Sequence, residues 1–138
     1  ALRIGWGFGA KNIINALNLI KPPFNVNEVA QLCAIEALKD DKFVKKSIKH
    51  NLYWGKKIKK IFERFNVYSN KVSANFLLLN FNRCKLSART FEKKLEKKGI
   101  ILREMNTYGI DNHLRLTIGN IAENKLLLKE TKNIFKDV

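Results

Sequence analysis

The sequence has 138 residues, of which 46% are hydrophobic and 28% are charged, and its formal net charge at pH 7 is +15. This length and composition are typical of a globular domain and exclude a disordered chain. No apolar run approaches the ~20 residues of a membrane-spanning helix, and the first residues lack the pattern of a secretory signal peptide. We therefore expect a cytoplasmic protein that does not interact with membranes.

The amino-acid composition explains the positive charge without a binding partner. Only six of the 27 basic residues are Arg, and the 21 Lys accompany 16 Asn and 14 Ile, a combination that an A/T-rich coding sequence produces. The alternative is a basic nucleic-acid-binding module, which would carry exposed aromatic side chains on its basic face. The aromatic residues instead follow the apolar stripes of predicted helices, which predicts that they lie in the core and that nucleic acid is not a partner.

The first predicted elements are a strand and a helix. Residues 2–7 alternate as a strand does, and the glycines after it lack the spacing of a dinucleotide-binding motif. Apolar residues at helical spacing predict a helix over residues 10–19. The two prolines at positions 22 and 23 should end it, because proline lacks a backbone donor and disfavours helix before it.

Two further helices are predicted before the pattern changes. The first covers residues 27–39, with Asn25 or Asn27 as its N-cap. The Asp40–Asp41 pair should end this helix and cap the next one. That next helix covers residues 42–65 and has an apolar stripe opposite a lysine-rich face, which predicts a long amphipathic helix.

The remaining residues alternate between strand and helix patterns. In chain order we predict strands at 66–70 and 75–81, a helix at 86–98, a strand at 100–103, a polar loop at 106–112, a strand at 114–118 and a helix at 121–135. The order β-β-α-β-β-α predicts a small mixed sheet that is covered by helices on one face.

Three arginines are the candidate functional residues. Arg3 and Arg115 lie among apolar neighbours on predicted strands, where an unpaired charge is costly. Because a guanidinium fork suits carboxylate and phosphate groups, we predict that these two residues clamp anions. Arg103 ends its own strand just before the polar loop. The alternative is that all three are ordinary salt-bridged arginines at strand ends.

No residue type in this chain points convincingly to a catalytic group or a metal site. His113 should point the same way as Arg115, but it has no Ser or Asp partner nearby, so we expect a satisfied or solvent-facing histidine. His50 is expected on the surface of the long helix. Cys33 and Cys84 lack the spacing of metal ligands, and we expect both to be reduced thiols.

Seven segments across the chain carry a resemblance to a known family. They are LRIGWG at 2–7, IINALN at 13–18, KPPFNVN at 21–27, SANF at 73–76, YGI at 108–110, HLRLTIG at 113–119 and EN at 123–124. Together they resemble the C-terminal part of histidinol-phosphate aminotransferases, which are fold-type I pyridoxal-phosphate enzymes. The likeness covers essentially all of the chain.

The resemblance implies a fold of the α+β or α/β class. It would be the C-terminal small domain of a fold-type I enzyme, with a mixed sheet covered by helices, plus a remnant strand and helices of the large domain. Residues 1–41 would be the end of the large cofactor-binding domain and the interdomain segment. Residues 42–65 would form the connecting helix and residues 66–138 the small domain.

The resemblance also implies a reaction. Such an enzyme moves an amino group between histidinol phosphate or imidazole acetol phosphate and glutamate or 2-oxoglutarate in histidine biosynthesis. It works as a cytoplasmic homodimer with pyridoxal 5'-phosphate as its cofactor. Arg3 looks like the residue that binds the cofactor phosphate, and Arg103 and Arg115 look like binders of the substrate's anionic groups.

The family's catalytic lysine, which forms a Schiff base with the cofactor, is expected just upstream of Ala1. We therefore expect this chain to be a C-terminal fragment that is inactive alone. An aromatic amino-acid aminotransferase or a phosphate-substrate decarboxylase of the same family is the alternative, because the loop before Arg115 does not distinguish their substrates.

Overall fold

The computed structural model describes residues 2–136. They form two compact units, which divide between Lys45 and Lys46 inside a long helix. We call residues 2–45 the N-terminal unit and residues 46–136 the C-terminal unit. The outer limits of the predicted domains, at positions 1 and 138, lie outside the described residues. Within residues 2–136, no helix is both long and apolar enough to cross a membrane.

The N-terminal unit contains the predicted helices. They are α1 (Lys11–Ile20), α2 (Glu28–Lys39) and the start of α3 (Asp41–Glu63). Asn27 caps α2, since its side-chain oxygen accepts a hydrogen bond of 2.7 Å from the backbone nitrogen of Ala30. Asp40 likewise accepts a bond of 2.9 Å from the backbone nitrogen of Phe43. Both N-terminal caps were predicted correctly because a short polar side chain before an apolar helix satisfies its unpaired donors.

The strand predicted over residues 2–7 is wrong. These residues have no regular secondary structure, and Arg3 has a φ of 60°, in the left-handed region that breaks an extended chain. The carbonyl of Leu2 accepts a side-chain hydrogen bond of 3.2 Å from Asn27. No strand among the described residues pairs with residues 2–7. A segment with alternating apolar residues forms a β-strand only where a neighbouring strand satisfies its backbone hydrogen-bonding groups.

The N-terminal unit does not enclose a core. Ala30 is its only buried residue within the described range. Large apolar side chains on the same unit are exposed, including Trp6 at 86% and Phe24 at 99%. Phe8 and Phe43 are exposed as well, so the prediction that the aromatic residues lie in the core is wrong for this unit.

The C-terminal unit is built on a four-stranded sheet. Its strands are β1 (Tyr68–Ser69), β2 (Phe76–Asn80), β3 (Arg103–Glu104) and β4 (His113–Thr117), in the spatial order β1-β2-β4-β3. Every strand pair among residues 2–136 is antiparallel, so the predicted mixed sheet is wrong. β2 and β3 run in the same direction, but β4 lies between them and pairs with both.

Two helices complete this unit, α4 (Ala88–Glu96) and α5 (Ile121–Lys136). Ser87 caps α4 by accepting a bond of 3.1 Å from the backbone nitrogen of Thr90. Gly99, with a φ of 73°, allows the left-handed turn after α4. Before α5, Asn120 and Glu123 exchange hydrogen bonds of 2.7 and 3.0 Å between side chain and backbone, which is a capping box.

The helices cover one face of the sheet, as predicted. Alternate strand residues on that face are fully buried, namely Leu77, Leu79, Leu114 and Leu116. They pack with buried side chains from three helices, which are Trp54, Ile58 and Phe62 of α3, Ala88, Phe91 and Leu95 of α4, and Leu127, Leu128 and Ile134 of α5. The other face of the sheet carries no helix of this unit, and we call it the open face.

Candidate anion-binding site

The register of β3 and β4 places two of the predicted arginines side by side. Arg103 is the direct cross-strand partner of Arg115. Leu114 and Leu116 point into the core, and side chains alternate along a strand, so Arg115 points to the opposite, open face. Directly opposed residues share a face, which places Arg103 on the open face beside Arg115.

Neither of these two arginines forms an ion pair with a carboxylate among residues 2–136. The ion pairs within the described residues are Lys39 with Glu36 and Lys59 with Glu63, so the interpretation of Arg103 and Arg115 as ordinary salt-bridged arginines is wrong there. Like charges directly opposite each other destabilise a sheet. An anion bound between the two guanidinium groups would reverse this repulsion.

Each guanidinium lies against an aromatic ring instead. The Cζ atom of Arg115 is 5.8 Å from the centre of the Phe76 ring. The Cζ atom of Arg103 is 5.4 Å from the centre of the Tyr108 ring, and its Nη2 donates a hydrogen bond of 2.7 Å to the Tyr108 hydroxyl. Such contacts stabilise a cation without cancelling its charge.

Sequence reasoning missed both aromatic partners. Phe76 was assigned only to a strand and a resemblance segment, and Tyr108 only to a polar loop and another resemblance segment. Phe76 lies two residues from Leu78, which is the cross-strand partner of Arg115. A correct register would therefore have identified the diagonal contact. The single available signal for Tyr108 was its position five residues after Arg103.

A cavity of about 430 Å³ adjoins the two arginines. It is lined by residues 99–103, by residues 115–117, by Gly119 and by the first turns of α5. The strand predicted over residues 100–103 begins only at Arg103. After the turn at Gly99, the nitrogen of Ile100 bonds to the carbonyl of Leu95 at 3.1 Å. This contact closes the turn after α4, and residues 100–102 that follow it form no strand.

One wall of the cavity depends on a buried amide. Asn124 donates a hydrogen bond of 2.7 Å to the carbonyl of Gly119 and accepts one of 3.1 Å from its nitrogen. The same carbonyl lies 2.9 Å from Nε2 of His50, which donates to it. His50 is half-buried, so its expected surface position is wrong. These contacts fix the turn between β4 and α5.

The remaining candidate residues are one histidine, His113, and two cysteines, Cys33 and Cys84. His113 lies on the open face, and its Nδ1 donates to the carbonyl of Asp111 at 2.6 Å, which confirms a satisfied histidine. Cys33 is exposed, Cys84 is half-buried, and both are free thiols. In the part of the chain that the structure describes, no three His, Cys, Asp or Glu side chains cluster as metal ligands would.

The guanidinium groups of Arg103 and Arg115 are suited to holding carboxylate or phosphate groups.

Arg3 belongs to the N-terminal unit and is described there alone. Its side chain is exposed, and it forms no ion pair with any residue from 2 to 136. Its guanidinium is thus available to an anion, although it does not lie on the strand that was predicted for it.

Comparisons with known proteins give a consistent picture. Residues 1–130 match the family described as aminotransferase class I and II. A histidinol-phosphate aminotransferase of Pelagibacter ubique (strain HTCC1062) is 54% identical over 98% of this chain. One of Rhodopseudomonas palustris (strain BisA53) is 36% identical over 93% of it. The chain spans 38% and 35% of the lengths of these two proteins.

Solved structures have a similar fold. The histidinol-phosphate aminotransferase of Clostridium acetobutylicum matches 93% of this chain and 39% of its own, with a TM-score of 0.77 and 23% identity. The L-threonine-O-3-phosphate decarboxylase of Porphyromonas gingivalis matches 92% of this chain and 40% of its own, with a TM-score of 0.62 and 20% identity. At these identities the likeness concerns the fold alone. Because the family match covers nearly the whole sequence, this chain belongs to the class I and II aminotransferases.

Proposed function

We propose that this chain carries the substrate-anion site of a histidinol-phosphate aminotransferase that uses pyridoxal 5'-phosphate. The enzyme would exchange an amino group between histidinol phosphate or imidazole acetol phosphate and glutamate or 2-oxoglutarate, in histidine biosynthesis. The observation that carries the proposal is the pair of arginines, Arg103 and Arg115, which lie side by side next to one cavity and have no carboxylate partner among residues 2–136. The 54% identity to an enzyme of that name supports the choice of substrate.

The two substrates explain why two arginines are needed. Glutamate presents two carboxylates, and histidinol phosphate presents a phosphate group. Each planar guanidinium can donate two parallel hydrogen bonds to either kind of anion. Arg115, half-buried in the centre of the open face, would bind one anionic group of the substrate. Arg103, exposed on the edge strand, would bind the second carboxylate of glutamate or further oxygens of the phosphate of histidinol phosphate.

We assign Arg3 to the phosphate group of the cofactor. Its chemistry fits, because an exposed guanidinium without a carboxylate partner among residues 2–136 suits a phosphate monoester. Pyridoxal phosphate, when bound, supplies the electron sink for amino-group transfer. No residue of this chain is assigned as the catalytic lysine.

The proposal extends to the organisation of the protein. Residues 1–41 would belong to the large cofactor-binding domain, residues 42–65 to the connecting helix and residues 66–138 to the small domain. The enzyme would be a homodimer. A cytoplasmic location follows from the proposed pathway alone.

The test is a transamination assay of the complete gene product that contains these 138 residues. With 2-oxoglutarate as acceptor, we expect histidinol phosphate to have a higher kcat/KM than phenylalanine. A preference for phenylalanine would favour the aromatic amino-acid aminotransferase instead, and the absence of transamination with either donor would refute the proposal. The 138-residue chain assayed alone is the control and is expected to be inactive.

A further inference from the structure

We propose that Tyr108 is a positioning residue, which holds the guanidinium of Arg103 in the orientation that binds the substrate's anionic group. The inference rests on the function proposed above. Tyr108 contacts Arg103 in two ways, through the hydrogen bond of 2.7 Å to its hydroxyl and through its ring at 5.4 Å from Cζ. It contributes both contacts from outside the strands, after Arg103 in the chain.

Arg103 needs such a contact because of where it lies. It is exposed, and its strand, β3, is only two residues long and forms the edge of the sheet. An exposed arginine side chain samples many rotamers, and ordering them on binding reduces the affinity for a ligand. A contact that orders the side chain beforehand removes part of this entropic cost.

Tyrosine is suited to this task because it is neutral. A carboxylate partner would orient the fork but would also cancel the charge that attracts the anion. One N–H group of Arg103 bonds to the Tyr108 hydroxyl, which leaves four of the five guanidinium donors for a ligand. The charge and most of the donors of Arg103 therefore remain available.

The backbone around Tyr108 is itself fixed. Tyr108 ends a short 3-10 helix, Asn106–Tyr108, and its nitrogen bonds to the carbonyl of Met105 at 2.9 Å. The following Gly109 has a φ of 69° and bonds back to Asn106 at 2.9 Å. Met105 is buried. The ring is thus held on a hydrogen-bonded turn with a buried anchor.

The first test compares two matched substitutions in the complete gene product. Tyr108→Phe removes the hydroxyl and keeps the ring. Tyr68→Phe is the control, since the Tyr68 ring also lies against an arginine, 6.0 Å from Cζ of Arg83, outside the candidate site. For Tyr108→Phe we expect the KM for histidinol phosphate to rise about three- to tenfold with kcat nearly unchanged. The control should keep both values.

The second test does not depend on activity. The dissociation constant of inorganic phosphate, measured by calorimetry on the same proteins, should rise about three- to tenfold in Tyr108→Phe and stay constant in Tyr68→Phe. Unchanged KM and phosphate affinity in Tyr108→Phe, or equal changes in the control, would overturn the inference. If phosphate affinity depends on Tyr108 but histidinol phosphate is not a substrate, the inference stands and the proposed function fails.

Discussion

The two units of this chain differ in whether the apolar side chains of their helices are buried. In the C-terminal unit, the apolar side chains of α3, α4 and α5 meet the leucines of the sheet and are buried. In the N-terminal unit, the apolar stripes of α1 and α2 stay exposed, and Ala30 alone is buried among the described residues. A periodic pattern thus predicts that a helix has an apolar face. It does not predict whether the unit supplies a surface to cover that face.

The largest expected effect comes from making the same substitution, leucine to alanine, in a helix of each unit. Leu95 of α4 is 0% exposed, whereas Leu38 of α2 is 74% exposed. In the 138-residue chain, Leu95→Ala should lower the free energy of unfolding by about 2–5 kcal/mol, because it removes packed atoms and leaves a cavity. Leu38→Ala should change it by less than about 0.5 kcal/mol. Urea denaturation followed by circular dichroism measures both free energies of unfolding. An equal loss of stability in the two variants would contradict the difference between the units.

The next effect concerns the different roles that we propose for the two units. In the complete gene product, Arg115→Lys should raise the KM for substrate about 10- to 100-fold, because a point charge replaces the two-bond fork. Arg3→Ala, in the N-terminal unit, should instead weaken retention of the cofactor during dialysis. Steady-state kinetics and cofactor absorbance measure the two effects. If neither variant departs from wild type, the role assignments are wrong.

A smaller effect probes the closed core of the C-terminal unit. Thr131 of α5 is fully buried, and its hydroxyl has no hydrogen-bond partner among the described residues. Thr131→Val replaces this hydroxyl with a methyl group of similar size, so it should raise the free energy of unfolding by about 1 kcal/mol. The exposed Thr107 is the control, and Thr107→Val should change the value by less than about 0.5 kcal/mol. A loss of stability in Thr131→Val would indicate that the hydroxyl is in fact satisfied.

The smallest effect depends on pH and concerns the surface of the same unit. Partial burial raises the pKa of Glu92 on α4, and the nearby carboxylates of Glu96 and Glu104 add to this increase. The folded protein therefore binds the Glu92 proton more tightly than the unfolded chain does. This contribution to stability is fully present below the unfolded pKa and is lost as pH rises through the folded pKa.

The substitution Glu92→Gln tests the direction of this pKa shift. At pH 7 the variant should be more stable than the wild type, by less than about 0.5 kcal/mol, because it removes an ionised carboxylate that burial and two neighbours disfavour. Below about pH 4 the gain should vanish, since Glu92 is then mostly protonated in both states. Melting temperatures across this range provide the measurement. A gain that grows as the pH falls would contradict the direction of the pKa shift.

Local chemistry explains which elements could be predicted from the sequence. The helices and their caps at Asn27, Asp40 and Ser87 depend on neighbouring residues alone, and all were predicted correctly. The strand at residues 2–7 and the start of β3 were wrong, because a strand exists only where a distant segment pairs with it. The antiparallel sheet was missed for the same reason, since the position of β4 between β2 and β3 is a long-range feature.

The candidate site likewise has features that the sequence predicted and features that depend on long-range pairing. Residue type and predicted strand position together singled out Arg103 and Arg115, because few side chains suit a carboxylate and a phosphate equally well. Their proximity, the cavity next to them and the aromatic contacts from Phe76 and Tyr108 follow from strand register and from the turn after α4. The sequence thus determined which groups can bind anions and where its helices begin. The tertiary structure decided which arginines act together, because only long-range pairing places residues 12 positions apart side by side.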